Sequence, residues 1–403
     1  HVFLLLLLLT WSNPLATQSP IPAEGRGLNP LLQHPAMAMH PPLLYLGYIG
    51  FSIPFAFAVA SLIRGKLDNA WVLSTRRWTL GAWFALTVGQ MLGGQWAYEE
   101  LGWGGYWGWD PVENAALMPW LTGTAFLHSV LLQEKRNMMK VWNMVLVIVT
   151  FGLSIMGTFI VRSGVLNSVH AFAQSEVGPA FLAFLALAMV FAFTMLFRRI
   201  RLLESRHLAD SLLSRESAFL LNNLLLIGIA FTVFLGTVFP LLAEAIRGTK
   251  LSIQAPFFNT IVGPMGIGLL FLIGIGTLIA WRHSSWDYLV RNFRTPVILG
   301  VLTAGLLAAL GMRHPGALIV FGGAVFTGSI LLTDFVRAAR ARADQFQTGF
   351  GEAILGTVQR NQQRWGGTLI HLGVVFLIWG LAGNWFSQEY NLTLTPGRPA
   401  TVG

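Results

Sequence analysis

The chain has 403 residues, of which 54% are hydrophobic and 11% are charged. Apolar runs long enough to cross a bilayer recur along it, which excludes an ordinary soluble globular protein and predicts an integral membrane protein. The net charge of +9 does not indicate nucleic acid as a partner, because the basic residues follow a membrane-protein pattern. The chain has no cysteine, so it has no disulfide, no thiolate metal site and no thiol chemistry of its own.

Hydropathy predicts an all-α fold, a polytopic transmembrane helical bundle of about 11 spans. The predicted spans are 3–12, which the start of the sequence cuts short, then 43–63, 78–97, 114–132, 141–161, 178–197, 219–241, 259–281, 295–311, 315–332 and 366–386. We expect residues 1–403 to form a single transmembrane domain, truncated at both ends. Residues 98–113 would be an outward segment, and residues 387–403 would begin an outward C-terminal segment.

Lysine and arginine are distributed unevenly between alternate loops of this scheme. All but six of the 26 basic residues lie in the loops on one side; the exceptions are Arg26, Arg162, Arg247, Lys250, Arg313 and Arg398. The positive-inside rule makes the basic side cytoplasmic. The loop at 98–113 contains Glu99 and Glu100 and no lysine or arginine, so we expect it to face outward.

The densest run of aromatic residues, WGGYWGWDPVENAALMPWL, covers residues 103–121. Its first part interleaves aromatic residues with glycines: Trp103, Tyr106, Trp107 and Trp109 with Gly104, Gly105 and Gly108. Two interpretations stay open. The run is either an aromatic belt at the membrane surface, or a platform on which a flat ligand such as a porphyrin stacks while the backbone approaches it closely. Asp110, Pro111 and Glu113 have the order of a capping box, which predicts a helix start at Pro111.

Two histidines of the outward loops flank this aromatic run in sequence. His40 precedes Pro41 and Pro42, and this proline pair predicts an extended segment that places His40 at the outer membrane surface. His170 lies in RSGVLNSVHAFAQ, the next outward loop after the run. The pair could supply axial nitrogen ligands on either side of an iron plane, or the two could be unrelated loop residues.

Two further histidines, His128 and His371, lie inside predicted spans. His128 is four residues before the cytoplasmic end of its span and His371 six residues after the cytoplasmic end of its own, about 6 Å and 9 Å at helical rise. Ionisable residues inside a membrane are candidates for function. The matched depth favours a bis-histidine haem b, and two separate interhelical hydrogen bonds are the alternative.

Several strings, in this order, carry a resemblance to a known family. They are GLNPLLQ (27–33), HPPLLYLGYIG (40–50), WAYEELGWGGYWGWDPVENAALMPWL (96–121), GTFIVRSGVLNSVHAFA (157–173), SRESAFLLNN (214–223), PFFNT (256–260) and RWGGTLIHLGV (364–374). The chain resembles the CcmF family of cytochrome c-type biogenesis proteins, part of maturation system I and of the haem-handling group named for its WWD motif. That motif alone would also fit the haem exporter CcmC and the CcsA-type synthases. The RWGGTLIHLGV span and the chain length favour CcmF.

The resemblance implies a holocytochrome c synthase, or haem lyase, that works within a complex of the bacterial inner membrane. Such a protein receives haem from the chaperone CcmE, works with CcmH and in some bacteria CcmI, and attaches haem through thioethers to the CxxCH motif of apocytochrome c on the outer, periplasmic side. Membrane lipid surrounds it, and no nucleic acid is involved.

The resemblance also implies roles for individual residues. His40 and His170 would ligate the iron of the transit haem, and His128 and His371 would hold a resident haem b. Haem b is then the expected reductant of the transit haem, and a quinol is a candidate reductant of the haem b. The motif positions that would face the transit haem are Trp103, Trp107, Trp109 and Asp110, with Tyr106 where the family usually has tryptophan and Gly108 where it often has phenylalanine.

Three other functions stay open at this level. A proton-coupled transporter would use membrane histidines as proton relays, but the chain has no convincing inverted repeat. A quinol-oxidising cytochrome b usually has two haems in its bundle, and only one depth-matched histidine pair is present. Haem export without attachment is the third, and copurification of apocytochrome and CcmH would distinguish a synthase from an exporter.

Overall fold

The computed structural model describes residues 2–17, 19–21, 23–25, 27–101, 105–170, 177–204, 211–249 and 251–386. In these ranges the chain forms helices and no strand, which confirms the all-α fold class. The α-helices are α1 Val2–Thr10, α2 Pro35–Gly50, α3 Ser52–Arg64, α4 Ala70–Glu100, α5 Pro111–Arg136, α6 Lys140–Ser163, α7 Gly178–Arg199, α8 Arg215–Arg247, α9 Ala255–Leu278, α10 Trp286–Ala309, α11 Pro315–Phe346, α12 Phe350–Arg360 and α13 Gln362–Ala382. Short 3-10 turns lie at Pro30–Leu32, Ile200–Leu203 and Gly383–Phe386.

The chain divides into two compact units, one of His1–Leu212 with Glu216–Met265 and one of Leu213–Arg215 with Gly266–Gly403. In the first unit α4 packs against α2, α3 and α5, and α6 packs against α5 and α7. In the second unit α11 packs against α10, α12 and α13. The single membrane domain over 1–403 stays a prediction, and its C-terminal segment at 387–403 lies outside the described residues.

Close approach of two helices builds the core of the first unit. A Cβ added at Gly50 of α2 would lie 2.6 Å from the Cβ of Ala82 in α4, so only glycine permits this distance between the helices. Tyr48, Phe51 and Leu86 are buried around the same contact. The tight α2 and α4 pair matters because the candidate site lies near one end of it.

In the described residues, nine helical segments are long and apolar enough to cross a membrane. Nine predicted spans each overlap one of them, and Pro35–Arg64, which joins α2 and α3, counts once. The spans at 3–12 and 78–97 stay predictions. Helix α1 has only 9 residues. Helix α4 has 31 residues, but it includes polar side chains such as Arg76, Arg77, Gln90 and Gln95 and is not among the nine.

The extended segment predicted at Pro41 and Pro42 is wrong, because both prolines lie inside α2. The helix begins earlier, where the His34 side chain accepts a hydrogen bond from the Ala36 N–H at 3.2 Å and Pro35 takes the first helical position. Proline inside a helix removes one hydrogen bond and crowds the preceding turn, a cost that the tight packing against α4 offsets. His40 is therefore a helical residue held against α4, not a residue of an extended loop.

Candidate functional site

One face of α4, near its C-terminal end, holds His40, the first of the two histidines that the sequence predicts to face outward. The His40 Nδ1–H donates to the carbonyl oxygen of Gly89 at 2.7 Å. One turn along the same face lies Gly93, where an added Cβ would overlap the His40 imidazole ring. The bond to a carbonyl puts the ring proton on Nδ1 and the lone pair on Nε2, the atom that can bind a metal.

The second histidine lies against the same face of α4. The rings of His170 and Trp96 have centroids 5.3 Å apart with planes tilted by 58°. Trp96 is fully buried, and its indole N–H donates to the Leu31 carbonyl at 2.7 Å. Gly89, Gly93 and Trp96 are spaced i, i+4, i+7, so they share one helical face. The structure therefore places His40 and His170 against the same face of α4.

A buried carboxylate orients His170. Asp110 Oδ1 accepts hydrogen bonds from His170 Nδ1 at 3.1 Å, Ser168 Oγ at 2.7 Å and the Val112 N–H at 2.9 Å. Ser168 Oγ also accepts from the His170 backbone N–H at 3.0 Å. Burial alone would raise the pKa of Asp110, but the bond and charge of His170, with the other two donors, hold that pKa below its ordinary value. Asp110 is therefore an ionised group that fixes the ring of His170.

The capping box predicted at the start of α5 is confirmed. Asp110 is the N-cap, Pro111 takes the first helical position, and Glu113 at the third position completes the box. Glu113 Oε2 accepts from the Asp110 N–H at 3.1 Å and from the Gly108 N–H at 2.9 Å. The box thus also fixes the backbone at Gly108, near the end of the aromatic segment. Ser168 is a partner that sequence reasoning missed, and its only signal is a hydroxyl two residues before His170.

Trp109 is held by contacts with two helices, and its expected position beside haem stays a prediction. Its backbone has a φ of 57°, in the left-handed region, which is strained for a bulky residue. The ring stacks on the buried ring of Phe258 with centroids 4.8 Å apart, and the indole N–H donates to Asn259 Oδ1 at 2.8 Å. Its carbonyl accepts from Asn114 Nδ2 at 3.1 Å. These contacts anchor Trp109 to α9 and α5.

The other aromatic residues of the segment are placed as follows. Trp107 is partly buried, and its ring meets the ring of Trp109 edge to face, with centroids 5.9 Å apart. Tyr106 lies 6.5 Å from the ring of Tyr98, and burial raises the pKa of its hydroxyl. Trp103 lies outside the described residues. Trp96 of α4 is the buried aromatic residue beside His170 that the sequence did not single out.

A second ordered contact holds the loop before α2 to α4. The imidazole of His34 lies 2.7 Å from Glu99 Oε2, and Gln95 Nε2 donates to Glu99 Oε1 at 3.0 Å. Hydrogen bonds from His34 and then Gln95 hold the pKa of the exposed Glu99 carboxyl below its ordinary value. Glu99 thus fixes the start of α2, six residues before His40.

The membrane histidines fall in different units. In the first unit, His128 of α5 donates from Nδ1 to the Thr124 carbonyl at 2.8 Å, and its ring lies 6.0 Å from that of Phe219. Thr124 Oγ1 accepts from the indole N–H of Trp83 at 2.8 Å. His371 is a partly buried residue of α13 in the second unit. Their pairing on one haem stays a prediction.

Comparison with known proteins supplies the family. Residues 1–166 match the family model described as "Cytochrome C assembly protein". The chain is 42% identical over 412 residues to the cytochrome c-type biogenesis protein CycK of Rhizobium meliloti (strain 1021), covering 100% of this chain and 59% of that protein. It is 42% identical over 404 residues to CcmF of Pseudomonas aeruginosa, covering 100% of this chain and 60% of the relative.

A solved structure described as "Cytochrome c Heme Lyase CcmF" has the same fold. It superposes with a TM-score of 0.70 at 34% identity, over 88% of this chain and 52% of that one. The chain spans 59% of the length of CycK and 60% of the length of CcmF, the two relatives above. The identity along the whole chain and the shared arrangement of membrane helices show that this chain belongs to the CcmF family of cytochrome c-type biogenesis proteins.

Proposed function

We propose that the chain is the haem-holding part of a haem lyase, a holocytochrome c synthase that works as part of a complex. Its substrates would be haem delivered by CcmE and the CxxCH motif of apocytochrome c. The observation that carries the proposal is the meeting of His40 and His170 on one face of α4, each with Nδ1 engaged by a specific acceptor. The relatives named CcmF and CycK support the pathway.

The residues present have the donor chemistry that haem iron needs. A neutral imidazole binds iron through a nitrogen lone pair, and a hydrogen bond at Nδ1 directs that lone pair to Nε2. The Asp110 carboxylate at 3.1 Å also makes His170 a more basic ligand than a carbonyl acceptor would. The partly buried ring of Trp107 would contact the porphyrin edge.

The role of this chain in thioether formation would be to position haem, because it has no thiol. In the attachment step each cysteine sulfur of apocytochrome c forms a bond to a vinyl carbon, and the thiol proton goes to the other vinyl carbon. The reaction is an addition, so it has no leaving group and changes no net oxidation state. His40 and His170 would hold the iron while the vinyl groups face the incoming CxxCH segment. CcmH, with CcmI where present, would present that segment with its thiols reduced.

The hydrogen bonding of His128 suits a ligand of a resident haem b. The bond from His128 Nδ1 to the Thr124 carbonyl fixes the same tautomer as at His40. His128 and His371 would hold this group, which would supply an electron to the iron of the transit haem; a quinol would be the alternative or upstream donor. We place the protein in the bacterial inner membrane with residues 98–113 facing the periplasm, because the basic loops lie on the opposite side.

Covalent haem on a reporter cytochrome tests this proposal. The full-length protein, expressed with its pathway partners, should give a reporter that stains for covalent haem, and His170→Ala should abolish the stain. The control is His283→Ala, which changes an exposed histidine of the second unit. A His170→Ala protein that is present in the membrane and still matures the reporter as well as wild type would contradict the proposal. Haem exported but left unattached by the wild-type protein would favour the exporter function.

A further inference from the structure

The second unit has a groove of about 100 Å³ between α10 and α11 that the haem chemistry does not use. Arg291 and Asn292 of α10 and Arg337 of α11 form its polar end. Leu299 of α10 and Ile330 of α11 line its apolar end. The groove therefore changes from cationic to apolar over about two helical turns.

Its positive charge is not neutralised by nearby carboxylates. Arg337 Nη1 donates to Asn292 Oδ1 at 3.4 Å, and in the described residues neither Arg291 nor Arg337 forms an ion pair. The one acidic residue in the groove, Asp334, is paired with the guanidinium of Arg364, whose Nη2 lies 2.9 and 3.1 Å from its two oxygens.

The surface of α10 next to the groove is also basic. There the neighbouring surface of α10 presents Arg294 beside Arg291, with the carboxylate of Asp287 one turn away. In the described part of the chain, the arginines here outnumber the acidic residues that have no ion-pair partner. This excess of positive charge favours binding of an anion.

The height of the groove matches the predicted membrane boundary. The apolar run of α10 begins at the buried Pro296, and that of α11 ends near the exposed Leu332. Trp286, at the start of α10, has 71% of its surface exposed, as is usual for tryptophan at the level of lipid headgroups. The arginines therefore lie at headgroup level, and Leu299, 41% exposed, lies at the level of acyl chains.

We propose that this groove binds one anionic phospholipid of the leaflet on the basic side of the membrane. The phosphate would lie between the guanidinium groups of Arg291 and Arg337, which can each form paired hydrogen bonds to phosphate oxygens. One acyl chain would lie along Leu299 and Ile330. Basic pockets between helices on the cytoplasmic side suit anionic headgroups, and a zwitterionic lipid would bring the positive charge of its choline group to the same arginines.

Retention of lipid by the purified full-length protein tests the proposal. Native mass spectrometry would compare phosphatidylglycerol with phosphatidylcholine of the same acyl chains, for wild type and for the Arg291→Gln, Arg337→Gln double variant. The matched control is Arg198→Gln with Arg360→Gln, which removes two exposed basic residues on the same predicted side, outside the groove. We expect wild type and control to retain phosphatidylglycerol at least tenfold better than the double variant, with no such difference for phosphatidylcholine.

Three results would overturn the proposal. They are equal retention of the two lipids by wild type, unchanged retention by the double variant, and protection from thermal unfolding by inorganic phosphate as large as that by phosphatidylglycerol, which would indicate a site for a free anion. Should the double variant fold poorly, Arg337→Lys replaces it. That variant keeps the charge but loses the planar fork, so a measurably faster loss of phosphatidylglycerol supports the site and unchanged retention contradicts it.

Discussion

Two histidine environments of the first unit differ in what holds the ring. At the end of α4, His170 donates to the side chain of Asp110, which is ionised and also caps α5. Deeper in α5, His128 donates to a backbone carbonyl of its own helix. A carboxylate partner can be removed by mutation and strengthens the ligand, whereas a carbonyl partner is present wherever the helix forms. The site at His40 and His170, which we predict to face outward, can therefore be adjusted through side chains, whereas the site at His128 depends on helix geometry.

The largest effect on the outward site should come from Gly93→Ala. The new Cβ would overlap the His40 ring and push it from its place on α4, so we expect a loss of haem from the outward site as complete as with His40→Ala. The matched control is Gly81→Ala on the same helix, where an added Cβ meets no atom within 4 Å. Haem per protein, measured on purified full-length variants, checks both. Equal haem content in the Gly93→Ala variant and wild type would contradict the placement of His40.

Asp110→Asn should have the next largest effect. Asparagine caps a helix as well as aspartate does, so the start of α5 should survive while the negative charge beside His170 is lost. We expect the affinity of the outward site for haem to fall by about 10–100-fold, the usual cost of losing a partner of a metal ligand. Haem titration monitored at the Soret band measures this, and circular dichroism checks that helix content is unchanged. A fall in helix content without a change in haem affinity would assign Asp110 a purely structural role.

Trp109→Phe should have a smaller effect that acts through stability. Phenylalanine keeps a ring to stack on Phe258 but loses the hydrogen bond to Asn259. The lost bond should lower the free energy of unfolding by about 1 kcal/mol. We expect a lower unfolding temperature in detergent, together with near-normal haem affinity once the protein is folded. A double-mutant cycle with Asn259→Ala isolates the bond. Strong haem loss at unchanged thermal stability would show instead that Trp109 contacts haem directly.

Thr124→Val should have the smallest effect on haem. It removes the hydroxyl that accepts from Trp83 but leaves the backbone carbonyl that accepts from His128. The unpaired indole N–H should lower stability by about 1–3 kcal/mol, while the b-type absorption spectrum keeps its position and intensity. A shifted spectrum would show that His128 depends on side chains as His170 does.

Local features of the site could be predicted from sequence, and contacts between distant segments could not. The capping box at Asp110 was found because its residue types and spacing are set by one helix turn. The bonds from Trp109 to Asn259 and from Ser168 to Asp110 join residues 150 and 58 positions apart, and nothing in a single sequence specifies such pairs. The resemblance to CcmF implied roles for the histidines, which stay predictions, but not the acceptors that orient their rings.

The position of His40 shows why a local rule failed. Two consecutive prolines usually end or precede a helix, and this rule gave an extended segment at the outer surface. The structure places both prolines inside α2, because the cap at His34 starts the helix earlier and packing against α4 offsets the lost hydrogen bonds. Tertiary packing thus decided the conformation of the segment that positions His40.

Haem content and the reduced-minus-oxidised spectrum of the purified full-length protein test the central claim most directly. The set is wild type, His40→Ala, His170→Ala, His128→Ala and His371→Ala, with His283→Ala as control, all purified after expression with CcmE, the proposed haem donor. We predict that the two outward variants lose one class of haem and keep the low-spin b-type signal, whereas the two membrane variants lose that signal. Outward variants that keep the haem content and spectrum of wild type would contradict the assignment of His40 and His170 as the ligands of the transit haem.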